Sequence, residues 1–198
     1  MKRIIAVLMA ALLIFSFAAC SEKKDENKDN NGGVKTESID PVELLNTVWA
    51  SYGDADKFPA AGGDMLTEET TNWEGPAAFG VTGDAVEAIE SMLHFPMASA
   101  SKLSAAASLM HAMNANTFTC GAFQVNDAAD MDALITEIKT TIDGTQWMCG
   151  FPEKVLIAKV GNVIVSCVGN GEIVDNFNAK LTAAYTSATV VINEAIVA

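Results

Sequence analysis

Arginine is almost missing from this chain. Its single copy, Arg3, stands before the first long apolar run, and every later basic residue is lysine. Recognition of nucleic acid or phosphate leans on arginine forks and a positive surface, so both classes are disfavoured. Beyond Cys20 the chain carries ten lysines against 25 acids, a net of −15. That balance argues against docking of the domain on an anionic bilayer and favours, weakly, cationic partners. Histidine occurs only twice, at His94 and His111. No G-x-S-x-G elbow, paired-acid motif, C-x-x-C or glycine-rich phosphate loop is present; Gly169-Asn170-Gly171 reads as a strand-to-helix turn. No repeat of 20–50 residues is visible. The sequence offers no catalytic residue, no cofactor and no metal site that its motifs alone support.

What is present begins with an address. Met1-Lys2-Arg3 leads into an apolar run from Ile4 to Ala19. A basic start, a short apolar stretch and small residues before a cut mark an export signal. The run is shorter than the ~20 residues a spanning helix needs. Ala18-Ala19-Cys20 resembles the lipobox of bacterial lipoproteins, in which the cysteine thiol receives a diacylglycerol and the chain is cut before it. Phe17 stands where a leucine is usual. Residues 1–19 are therefore expected to be a signal peptide and Cys20 the lipid attachment site, with two or three acyl chains holding the protein to a membrane. The expected location is the extracytoplasmic face of a bacterial cell membrane. Residues 20–36 hold the lipidated cysteine and a tether rich in Lys, Asp, Glu and Asn, too polar to bury surface and so expected to be disordered.

With Cys20 acylated, Cys120, Cys149 and Cys167 remain. An odd, unpatterned set does not make a disulfide scaffold, and buried thiols or one internal bond are the two readings.

Residues 37–198 suffice for a single domain with its own core. Asp40-Pro41-Val42-Glu43 is a helix start, followed by an amphipathic face of Val42, Leu45, Val48, Trp49 and Tyr52. Residues 53–83 read as loop, and Asp84–Glu90 as a short helix. The alanines near 105 predict a helix beginning near Ser101, with extended chain by His111. Then follow a strand at 117–125, a helix at 128–142, strands at 154–160 and 162–168 around Gly161-Asn162, a helix after Gly171 and a last strand from Thr189. This βαββαβ order over about 117–196 predicts an α+β, ferredoxin-like core with an additional N-terminal amphipathic helix. It places two crossover helices on one sheet face, strands 117–125 and 162–168 at the centre, and the N-terminal helix on the other face.

The segments Ala106–Thr119 and Gln146–Lys154, together with the lipobox, resemble an uncharacterised family of bacterial lipoproteins of anaerobic Gram-positive type, a domain of unknown function. The resemblance covers roughly residues 84–197. It implies a mixed α/β domain and carries over no catalytic or binding residue.

Three functions follow as expectations. The first is a non-catalytic binding or structural lipoprotein that contacts an unknown protein or small-molecule ligand through its sheet or through Trp147–Pro152. The second is a soft-metal protein, because Met92-Leu93-His94-Phe95-Pro96-Met97 and Met110-His111-Ala112-Met113 set imidazoles among thioethers, which suit copper(I). The third is a thiol enzyme pairing Cys149 with His111. The acids of Asn126-Asp127, Asp130 and Asp132 read as helix-capping groups rather than a cation site.

Overall fold

The structure is a computed structural model that describes residues 38–148 and 150–197. The expected signal peptide (residues 1–19), Cys20 with the expected tether (residues 20–36), and Cys149 lie outside the described residues. Helix α1 spans Pro41–Ala50; the Asp40 carboxylate accepts from the Glu43 amide at 2.9 Å, and Pro41 opens the first turn. It buries Leu44, Leu45, Val48 and Trp49. After it come strands β1 (Ala60–Gly63), β2 (Thr71–Asn72) and β3 (Ala77–Phe79), where the sequence reads as loop. Helix α2 runs Asp84–Leu93, past the expected end at Glu90.

The alanine-rich segment is the main departure in local structure. A 3-10 turn occupies Met97–Lys102, and β4 is extended throughout Leu103–His111. Helix propensity is worth only tenths of a kcal/mol per residue. Here β4 is paired on both sides, with the strand Phe118–Val125 along one edge and with β3 and β1 along the other. Two ladders outweigh the local preference.

The remaining elements are β5 (Phe118–Val125), α3 (Met131–Gly144), β6 (Lys154–Val160), β7 (Val163–Gly169), α4 (Gly171–Ala184) and β8 (Thr189–Ala195). The apolar spacing of α3 buries Met131, Leu134, Ile135, Ile138 and Ile142. Strands β6 and β7 are joined by Gly161-Asn162, with Gly161 at φ +57, the left-handed first position of a II′ turn.

The fold is α+β around an eight-stranded antiparallel sheet. Its order is β2-β1-β4-β5-β7-β6-β8, with β3 also on β4. Strands β5 and β7 are neighbours at the centre, as the sequence order predicts. The ferredoxin-like arrangement departs at the last strand. There the fourth strand would sit beside the first; here β8 pairs with β6. Both crossovers therefore step toward the same edge while starting from antiparallel strands. Right-handed connections then require helices on opposite faces. Accordingly, α4 joins α1 over one face, with Leu156, Val165 and Phe118 beneath them. On the other, α3 joins α2 over Val155, Ile164 and Phe123. The expectation of two crossover helices on one face is corrected on this point.

Beyond its two ladder pairs, Ala60 with His111 and Ala61 with Met110, β1 is held to β4 by one side chain. Ser108, fully buried, donates to the Gly63 carbonyl at 2.9 Å and accepts from the Gly63 amide at 2.8 Å. Gly63 sits at φ +101, and a Cβ there would meet the Thr70 carbonyl oxygen at 1.8 Å. Replacing Ser108 with alanine strands two buried backbone groups, with an expected cost of about 1–3 kcal/mol. Urea denaturation should show a lower midpoint for Ser108→Ala, whereas the exposed Ser104→Ala should change stability by less than ~0.5 kcal/mol.

Candidate functional site

The Asp64–Thr71 turn that follows β1 is fixed by its own side chains. The buried Asp64 carboxylate accepts from the Leu66 amide at 3.1 Å. Thr67 and Thr70 exchange amide-to-hydroxyl bonds of 3.1 and 3.2 Å. Met65 is held within this turn at φ +60, a left-handed backbone that a long side chain adopts at a cost of about 1–2 kcal/mol. The next loop is pinned from below, because the Trp49 indole donates to the Glu74 carbonyl at 3.2 Å. It presents Trp73 with 65% of its surface exposed.

These loops close over the end of β4 and make an apolar hollow of about 200 Å³. Met65, Trp73, Met92, Met110, His111 and Met113 line it. A second hollow of about 260 Å³ shares Met65 and Trp73 and adds Leu66 and Glu68. Leu66 is 50% and Met113 80% exposed. Thioethers are flexible and polarisable, a surface suited to irregular apolar partners.

The structure thus brings one residue of the first methionine-histidine motif, Met92, to the same hollow as the whole of the second, Met110 to Met113; His94 does not join them. Side chains two positions apart near a helix end point in nearly opposite directions. In a strand, by contrast, adjacent side chains point to opposite faces, so Met110 packs with α2 and α3 while the His111 ring stacks on Phe58 at 5.5 Å. The Met113 amide donates to His111 Nδ1 at 3.2 Å. Met65 and Trp73 escape the sequence reading because they lie in loop-like sequence; a methionine and a tryptophan eight residues apart in a Gly- and Thr-rich stretch are the one signal.

His94 lies elsewhere, at the left-handed end of α2 with φ +56. It borders a hollow of about 560 Å³ between the ends of α2 and α3, with Glu87, Glu90, Ser91, Thr141 and Thr145. The imidazole is 9% exposed and packs edge-on against Trp147 at 4.8 Å. Among the described residues none hydrogen-bonds to its ring. Burial pushes its pKa down to about 4, so it is neutral at pH 7. Trp147 itself is half-buried and closes the α3 side of the core, while Met148 and Phe151 remain exposed. The expected Trp147–Pro152 patch is therefore partly core and partly surface.

The other candidates resolve simply. The Asp127 carboxylate accepts from the Ala129 amide at 2.9 Å, Asp130 pairs with Lys102 at 3.1 Å, and Asp132 pairs with Lys159. Among the described residues no group of three or more His, Cys, Asp and Glu could hold a metal ion. Nor does any nucleophilic side chain among them hydrogen-bond to a histidine; Ser91 instead donates to the Ala88 carbonyl at 3.1 Å. Cys149, the proposed partner of His111, lies outside the described residues. No helix among them is long and apolar enough to cross a membrane.

No family model matches the chain, and neither the curated proteins nor the solved structures contain a significant match.

His94 makes stability depend on pH. The unfolded chain binds the imidazole proton near pH 6.5, the folded one only near 4. The unfolded state therefore holds more protons in between, and stability falls as pH drops from about 6.5 toward 4, by up to about 3 kcal/mol. Asparagine tolerates a left-handed backbone and does not titrate. Chemical denaturation at pH 7 and pH 5 should show a smaller acid loss for His94→Asn than for the wild type. Equal losses would place the sensitivity elsewhere.

Proposed function

We propose that this chain is a lipid-anchored protein of the extracytoplasmic face of a bacterial membrane, attached through Cys20, whose domain is a non-catalytic binding module. The reading groups it with the lipoproteins it resembles. The signal segment, the Ala18-Ala19-Cys20 site and the polar tether support the anchor. A single observation carries the binding role: the paired hollows around Met65 and Trp73, walled by methionine and left open to solvent.

Their size selects the occupant. Hollows of about 200 and 260 Å³ are smaller than the ~300–1,000 Å³ of drug-sized ligand sites. Each admits one large apolar side chain. Glu68 at the rim and the net charge of −15 beyond Cys20 favour lysine or arginine beside those side chains. The fitting partner is an exposed protein segment with two apolar residues in a basic setting.

A second reading has one observation in its favour. His111 and Met65, Met92, Met110 and Met113 border one hollow, a thioether and imidazole set that suits copper(I). His94 is not part of it. Titration with copper(I) under a competing chelator distinguishes the two readings; absence of saturable binding tighter than micromolar ends the metal reading.

Anchoring is tested by Cys20→Ala, which should move the protein from the detergent-extracted membrane fraction to the soluble one and remove the acyl mass from its N-terminal peptide. Retention in the membrane would sink that half of the proposal. For the domain, lysine-flanked peptides carrying paired Leu, Phe or Met should bind the wild type with micromolar affinity, read from tryptophan fluorescence. Met113→Glu, on an exposed side chain, should weaken that binding at least tenfold without changing thermal stability; unchanged affinity would remove the hollows from the binding role.

A further inference from the structure

We infer that Cys120 and Cys167 are joined by a disulfide across the two central strands of the sheet. The bond rests on strand register; only the place where the oxidant is met rests on the extracytoplasmic reading above. Cys120 on β5 and Cys167 on β7 are direct Cα partners in the antiparallel ladder. Directly opposed residues in such a ladder have Cα atoms about 4.5 or 5.5 Å apart, depending on the pair type. Both separations fall inside the roughly 4.4–6.8 Å that a disulfide spans. The side chains emerge on the same face, and Cys167 Sγ donates to Cys120 Sγ at 2.8 Å. Of the three cysteines left after lipidation, the register pairs two and leaves Cys149 as the odd one.

Burial decides when the bond forms. Both thiols are fully enclosed in the cluster that α1 and α4 cover. Burial also pushes the Cys167 thiol up, so its reactive thiolate is scarce once the domain is folded. Oxidation therefore belongs to the stage at which β5 and β7 have met and the helices have not yet docked. The oxidant is an external disulfide, of glutathione or of a thiol oxidoreductase. One cysteine thiolate attacks it and expels a thiolate; the second cysteine attacks the resulting mixed disulfide at the protein sulfur and expels the other. One external S–S bond breaks and one forms in the protein. Two electrons pass from the cysteines to the external disulfide, and the two thiol protons finish on the released thiols.

The full chain carrying Cys149→Ala, reduced and denatured, is refolded in glutathione buffers of oxidising or reducing poise and then alkylated in denaturant. After oxidising refolding, Cys120 and Cys167 should resist alkylation and appear in a single linked peptide that dithiothreitol separates. That form should melt about 10 °C above the reduced one, as expected for closing a loop of ~48 residues. Protein first folded reduced, then given oxidised glutathione without denaturant, should stay reduced. Alkylation of both Cys120 and Cys167 after oxidising refolding, or equal melting temperatures, overturns the inference. Wild-type protein extracted from membranes should carry the same linked peptide with Cys149 outside it. Its absence there, when the refolded chain forms the bond, overturns the inference for the native protein and counts against the extracytoplasmic location.

Discussion

Strands β5 and β7 lie side by side and run in opposite directions, yet the connections leaving them both step toward β8. A right-handed crossover from an upward strand passes in front of the sheet; one from a downward strand moving the same way passes behind it. The rest of the architecture depends on this. Helices α3 and α4 are sent to opposite faces, so the central strands are covered twice. Every residue of β7 is buried, and all of β5 except Gln124. Such strands need nearly continuous apolar sequence rather than alternation, which is what Val163–Val168 supplies. The second helix of each face, α1 or α2, comes from the N-terminal half of the domain and completes the layer.

Legibility followed locality. Helices α1, α3 and α4 carry their burial in their spacing, and the β6–β7 hairpin carries its turn in Gly161-Asn162. Each was readable because the information lies within one element. Strands β1 to β3 were not. Ala60-Ala61-Gly62-Gly63 has no alternation and no branched residue; it is a strand because β4, some fifty residues later, offers an edge and Ser108 a clamp. The alanines of β4 read as helix for the complementary reason, since their partners are remote. Strand order was misjudged where βαββαβ succession admits two closures, with β8 beside β5 or beside β6. The continuous apolar character of β7 was a signal for cover on both faces.

The candidate site is assembled from the parts least determined by local sequence. Its residues come from the loops after β1 and β2, the end of α2 and the end of β4. Methionine and histidine were conspicuous in the sequence, but which of them meet is a matter of topology. Among the described residues, the two non-glycine positions with left-handed backbone, Met65 and His94, each border a hollow. Backbone strain of this kind persists where surrounding contacts enforce it and is concentrated at functional positions. Here the enforcing contacts are visible for Met65, in the Asp64 turn and the Thr67–Thr70 exchange. The protein holds the Met65 wall of its hollow and the exposed Leu66 on a stiffened rim rather than on a loose loop.

The first described residues have a mechanical consequence. The Ile39 amide donates to the Asn162 side chain at 3.0 Å, and the Gln124 amide group donates to the Ile39 carbonyl at 2.8 Å. A load applied along the chain before Ser38 falls first on these bonds, with the one the Gln124 amide group gives the Ser38 hydroxyl at 3.3 Å, and then on α1, which holds the sheet mainly by side-chain packing. Peeling a helix breaks its contacts one turn at a time, whereas shearing a β-ladder breaks many bonds together. The domain would therefore yield to tension by shedding α1 while its sheet stayed whole. The face that α1 helps α4 to cover carries Cys120 and Cys167, so shedding α1 would thin the cover over an otherwise sealed pair of sulfur atoms.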